Sequence, residues 1–137
     1  MSVAAAIALL ASAQAAPAAD FRTRPPQDEI VYFVLPDRFE NADPKNDKGG
    51  MKGGRLKDGY DPTHKGFYHG GDLKGLTKRL DYIQGLGATA IWLTPIFKNK
   101  AVQGDPGQES SAYHGYWITD FTTVDPHLGT DADFKTF

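Results

Sequence analysis

The sequence predicts an α/β fold organised around parallel strands, and three observations carry that prediction. Two short unbroken apolar runs, residues 30–35 and 88–93, have the length and the β-branched and aromatic content of strands buried on both faces of a parallel sheet. Between them lies a segment with apolar residues at helical spacing. Strand, helix and strand in that order form a βαβ unit, whose strands run parallel.

Taken in order, the first run is Ile30-Val31-Tyr32-Phe33-Val34-Leu35, ended by Pro36. Residues 37–71 show no hydrophobic period and read as one long polar loop, a kind that is usually functional when it occurs in a compact domain. Phe39 and Phe67 are its candidate anchors to a core. Residues 72–86 read as one helix: Leu73, Leu76, Leu80, Ile83 and Leu86 share a face, while Lys74, Lys78, Arg79 and Gln84 take the other. Asp72 is the expected N-cap and Gly87 the expected helix-ending glycine. The second strand stops at Thr94-Pro95. Residues 98–112 read as a second polar loop, residues 113–124 as a short aromatic-rich strand, and residues 131–137 as the start of a helix capped by Thr130 or Asp131.

The chain of 137 residues has room for one ordinary domain. Its 15 basic and 17 acidic side chains give a formal charge of −2, which argues against nucleic acid as a partner. With no cysteine, disulfide and thiol chemistry are excluded. Residues 1–19 contain an alanine- and leucine-rich apolar run, followed by Ala13-Gln14-Ala15 and Ala16-Pro17-Ala18, either of which suits signal peptidase. No basic residue precedes Arg22. The segment reads as a signal peptide whose start lies upstream, leaving 20–137 as the mature portion and a secreted or periplasmic location. No later stretch is apolar enough for a membrane span.

Three constellations carry chemistry. Asn41, Asp43, Asn46 and Asp47 place four oxygen-bearing side chains within seven residues, a set suited to a hard cation, although the spacing is not that of an EF-hand. Solvated turns use the same residue types. In Tyr68-His69-Gly70-Gly71-Asp72, two glycines permit close backbone approach, and Asp72 can cap a helix with one oxygen and bind metal with the other. Tyr113-His114-Gly115-Tyr116-Trp117 offers aromatic faces for a pyranose ring and an imidazole for its hydroxyls; core packing is the competing reading. Asp120 and Asp125 do not form an acid/base pair, because positions five apart on one strand face opposite ways.

In order, these segments resemble glycoside hydrolase family 13, the α-amylase family. The matching pieces are Asp37-Arg38-Phe39, the Asn41/Asp43/Asn46/Asp47 loop, Gly70-Gly71-Asp72, the stretch from Gly87 to Pro95, His114-Gly115-Tyr116-Trp117, and Asp125-Pro126-His127-Leu128-Gly129-Thr130. The resemblance spans residues 29–137. It implies the N-terminal part of a (β/α)8 TIM barrel, incomplete here because such a barrel takes roughly 250 residues. It further implies a structural calcium ion held by Asn41, Asp43, Asn46, Asp47, the Gly70 carbonyl and Asp72, with Tyr116 stacking on the sugar and His114 and Trp117 beside it.

The implied activity is retaining hydrolysis of α-glucosidic bonds in starch, related α-glucans or maltooligosaccharides. The family's nucleophile and acid/base are expected beyond Phe137, so no residue of this chain is assigned a catalytic role. Within the family, cyclodextrin glucanotransferase and cyclomaltodextrinase are the alternatives, and the HGYW motif favours the amylase and glucanotransferase side. A non-catalytic sugar- or calcium-binding module is the alternative from another class.

Overall fold

The computed structural model describes residues 20–137; the predicted signal peptide lies outside the described residues. Strand β1 (Val31–Val34) pairs in parallel with β2 (Ala90–Leu93), with Val31 opposite Ala90 and Val34 opposite Leu93. Between them come α1 (Arg55–Asp58), α2 (Leu73–Lys78) and α3 (Leu80–Gly85). Beyond β2, β3 (Phe97–Asn99) pairs antiparallel with β6 (Ile118–Val124), β4 (Val102–Gln103) with β5 (Ser110–Ser111), and α4 (Asp131–Thr136) closes the order. The predicted βαβ unit is therefore present.

The core lies on one side of the β1–β2 pair. Val34, Leu73, Leu76, Ile96, Val124 and Leu128 are buried together, and Tyr32, Phe39, Ile91, Leu93 and Phe137 pack against them. The other side is open, which corrects the expectation of strands buried on both faces. Val31, Phe33 and Trp92 are 51%, 56% and 65% exposed, because the helices cover one face and no described element covers the second. Phe33 and Trp92 meet there edge to face, their ring centroids 6.2 Å apart.

The single helix expected over 72–86 is two helices broken at Arg79, whose φ/ψ of −106°/12° is not helical. The break follows Thr77, whose hydroxyl donates to the Leu73 carbonyl at 2.8 Å, a back-bond of the kind that bends helices. At the break, Lys78 and Arg79 both reach Glu40. The predicted caps are present: Asp72 accepts from the Gly75 amide, Gly87 sits at φ +86°, and Thr130 forms a capping box with Asp133.

Two loop readings are refined. Residues 98–112 are not one irregular loop, since they hold the end of β3 and the β4–β5 hairpin; such two-residue strands are too short to leave a period in the sequence. Residues 113–117 form a turn rather than a strand, and regular pairing begins at Ile118. The loop after β1 is well packed: Phe67 and Tyr68 are almost completely buried and Phe39 borders the core.

Candidate functional site

The loop after β1 folds back onto the start of α2. Asp72 is fully buried; one carboxylate oxygen accepts the Gly75 amide at 2.6 Å, and the other accepts the amides of Ala42 and Asp43 at 3.2 and 2.8 Å. Asn46 Nδ2 lies 3.5 Å from that second oxygen. Asn41 donates to Asp47 Oδ1 at 2.7 Å. Gly70 stands against both: it adopts φ +93°, and a Cβ there would fall 2.5 Å from the Asn41 amide nitrogen and 2.7 Å from Asp47 Oδ1. The structure thus gathers Asn41, Asn46, Asp47, Gly70 and Asp72 into one cluster. Asp43 joins it through its backbone amide and turns its side chain to Lys74, whose bonded ammonium holds the Asp43 carboxyl below the usual carboxylate range.

Among the described residues, no three His, Cys, Asp or Glu side chains by themselves form a metal cage. The oxygens available here come from amide groups and backbone as well as carboxylates, the mixed set that suits calcium. One observation favours a cation: Asn46 Oδ1 is buried and has no hydrogen-bond partner.

Directly under this loop sits Asp37, 1% exposed, which sequence reasoning used only as part of a motif. Its Oδ1 accepts the His69 and Gly70 amides at 2.9 and 3.0 Å, and its Oδ2 accepts Arg38 Nη1 at 2.7 Å. Burial pushes its carboxyl above the usual range, against the opposing pull of the Gly70 amide and the Arg38 charge. Arg38 also donates to the carbonyls of Phe67 and Lys65, and its guanidinium lies 4.0 Å from the Tyr113 ring centroid. One ion pair therefore touches both the loop cluster and the aromatic turn. The signal for it in the sequence was a charged pair placed directly after a buried strand.

The aromatic turn is built around Gly115, at φ +84°, where any Cβ would overlap the Pro95 carbonyl. His114 is the hub: its ring stacks on Tyr116 at 5.8 Å and 24°, and meets Trp117 edge-on at 4.8 Å and 88°. Tyr116 is 62% exposed, with one face against His114 and the other open among the described residues. His114 Nδ1 accepts the Tyr116 amide at 3.0 Å, which leaves Nε2 as the N–H donor of the neutral ring.

Burial lowers the His114 pKa from 6.5. The unfolded chain then takes up a proton first as pH falls, so this group's effect on stability is flat above pH 6.5 and becomes unfavourable below it. A nuclear magnetic resonance titration is expected to place the His114 midpoint under 6.5. A midpoint at or above the ordinary value would contradict a desolvated, half-buried imidazole.

Asp120 and Asp125 do not meet as a catalytic pair. Asp120 caps its own turn through Thr122, while Asp125 is buried with both oxygens occupied.

The alpha amylase catalytic domain model matches residues 33–137. The chain belongs to that family. It is 67% identical over 85 residues to an alpha-amylase of Streptomyces lividans, covering 62% of this chain and 9% of that one. With the periplasmic alpha-amylase of Escherichia coli it shares 46% identity over 112 residues, 77% of this chain and 16% of the other. The crystal structure of a cyclomaltodextrin glucanotransferase with a three-domain ABC distribution superposes with a TM-score of 0.69 at 44% identity, over 79% of this chain and 22% of that one. The chain therefore spans between about a tenth and a fifth of the length of these relatives. The family fold is a (β/α)8 barrel, and the parallel β1–β2 pair with its helices corresponds to a part of it; the described residues do not close a barrel. No helix among the described residues is long and apolar enough to cross a membrane.

Proposed function

We propose that the chain serves an α-amylase-type glycoside hydrolase that cleaves α-glucosidic bonds of starch or related α-glucans with retention. The observation that carries this reading is the HGYW turn, in which Tyr116 presents an open aromatic face beside a neutral imidazole N–H donor. A pyranose stacked on Tyr116 would place a hydroxyl within reach of His114, with Trp117 closing one side. Asp37, Asp120 and Asp125 are committed to structural hydrogen bonds, so the contribution read from this turn is binding and orientation. Cyclodextrin glucanotransferase activity is the second reading, favoured by the superposition on an enzyme of that name. In the full chain, Tyr116→Ala is the test. Maltotriose affinity measured by calorimetry is expected to drop tenfold or more, and unaltered affinity would remove Tyr116 from the site.

The loop cluster is proposed to hold a structural calcium ion through Asn41, Asn46, Asp47, the Gly70 carbonyl and Asp72, with Asp43 as a further ligand whose carboxylate would exchange Lys74 for the ion. The unpartnered Asn46 oxygen supports this, and so does the all-oxygen donor set. The ion would join the loop after β1 to the start of α2. A ligand at about 100 times its Kd adds roughly 2.7 kcal/mol of stability. Millimolar calcium is therefore expected to raise Tm by roughly 10 °C over chelator-treated protein. Equal melting temperatures would overturn the assignment. The leader composition and the periplasmic relative support export of the protein, to the periplasm or beyond.

A further inference from the structure

The β3–β6 ladder is irregular where it approaches the aromatic turn: its register shifts between Phe97 and Lys98 and again between Lys98 and Asn99. Bulges of this kind interrupt the regular exchange of backbone bonds and are frequent beside functional sites, where they re-aim side chains. Here three buried side chains supply bonds across the irregular stretch. Asn99, 8% exposed, accepts the Trp117 amide on Oδ1 at 2.7 Å and donates from Nδ2 to the Phe97 carbonyl at 2.6 Å. The Asn99 amide in turn donates to Asp125 Oδ2 at 2.7 Å.

Asp125, 1% exposed, accepts the amide and Nδ1 of His127 on its other oxygen, at 2.9 and 2.8 Å. His127, 3% exposed, reaches the Asp58 carbonyl from Nε2 at 2.6 Å. Its ring stacks on Tyr68 at 3.9 Å and 9°, and Gly49 lies so close that a Cβ there would overlap the imidazole.

We propose that Asn99, Asp125 and His127 are positioning residues that orient the sugar-stacking turn, forming one buried relay from the Asp58 carbonyl to the Trp117 amide. The functional consequence rests on the α-glucan reading above; the relay itself does not. The links from Asp58 through His127 and Asp125 to the Asn99 amide are buried, and the last, to the Trp117 amide, is part-buried. The Trp117 amide, adjacent in the chain to Tyr116, is therefore held by an acceptor that is itself fixed in the core. The relay spans sequence separations of 69 residues at the Asp58 end and 18 at the Trp117 end, so it pins the turn to a distant loop rather than to its own neighbours.

The test uses Asn99→Ala and His127→Phe in the full chain. The second keeps an aromatic ring against Tyr68 while deleting both polar links, and Asn99→Ser, which retains a side-chain oxygen, serves if Asn99→Ala does not fold. Amide hydrogen exchange is followed at Tyr116 and Trp117 and, for comparison, at Leu76 in the core. Both variants are expected to speed exchange at Trp117 at least tenfold while leaving Leu76 unchanged. They are also expected to weaken maltotriose binding by about tenfold, the scale of one net hydrogen bond. Unchanged exchange at Trp117 overturns the relay. Acceleration at Trp117 and Leu76 alike overturns it too, since the network would then support the whole fold and not the turn. Selective acceleration at Trp117 in a chain that binds no maltotriose leaves the relay standing and removes the α-glucan reading.

Discussion

Alanine in place of Asp72 is expected to lower the unfolding free energy by about 3 kcal/mol and to abolish the calcium-dependent rise in Tm. The carboxylate is fully buried and serves two elements at once: it caps α2 through the Gly75 amide and gathers the amides of Ala42 and Asp43. Loss of an N-cap costs about 1 kcal/mol. Each of the two part-buried amides left without its acceptor adds up to about 1 kcal/mol more. Urea unfolding with and without calcium measures both effects. The Asp72→Asn variant retains a side-chain oxygen as acceptor for the cap, so most of the intrinsic stability should return while calcium binding remains weakened. A loss well under about 1 kcal/mol for Asp72→Ala would mean that the loop after β1 is held by its other contacts alone.

The second large effect is expected at Asp37. Removing this carboxylate strands the His69 and Gly70 amides and leaves Arg38 without its counter-charge. Breaking a fully buried pair from one side costs roughly 3–5 kcal/mol. Arg38 is 23% exposed and keeps two carbonyl acceptors, so the pair sits below that range. The two stranded amides add to it, and Asp37→Ala should still be among the most damaging single changes in the chain. Because Arg38 lies over Tyr113, the same variant is expected to disturb the aromatic turn as well as the loop cluster. The pH dependence has a definite sign. The folded-state pKa is raised by burial above the ordinary 3.8. The folded protein therefore holds this proton more tightly than the unfolded chain, and the contribution is favourable in acid. It declines as pH rises from 3.8 through the folded-state value. In Asp37→Ala that decline should vanish from the acid limb of the stability curve; an unchanged acid limb would mean that other carboxyls set it.

Local pattern made much of this protein legible in advance. The two apolar runs are β1 and β2, and their parallel pairing follows from the helical segment between them. Asp72, Gly87 and Thr130 could be read as helix boundaries because capping depends on residues only two or three positions away. The loop cluster and the aromatic turn were also visible, since each lies within a short stretch of chain. What the same local reading misjudged has physical causes. Thr77 and Glu40 together mark the break at Arg79, and Glu40 is 38 and 39 residues from its two partners. Val31, Phe33 and Trp92 have strand character whichever environment they meet, so their exposure could not be read from their type.

The amino-acid sequence by itself determined the family, the βαβ order, the caps and the residue types available for a cation and a sugar ring. Only the tertiary structure decided which of those groups meet. It set Asp37 beneath Gly70, laid Arg38 across Tyr113, and joined Asp58 to Trp117 through His127, Asp125 and Asn99. Periodicity and capping are near-neighbour effects that survive in a linear reading. The partner of a buried charge is chosen by chain topology, across separations of tens of residues and under the cost of leaving a buried polar group unpaired.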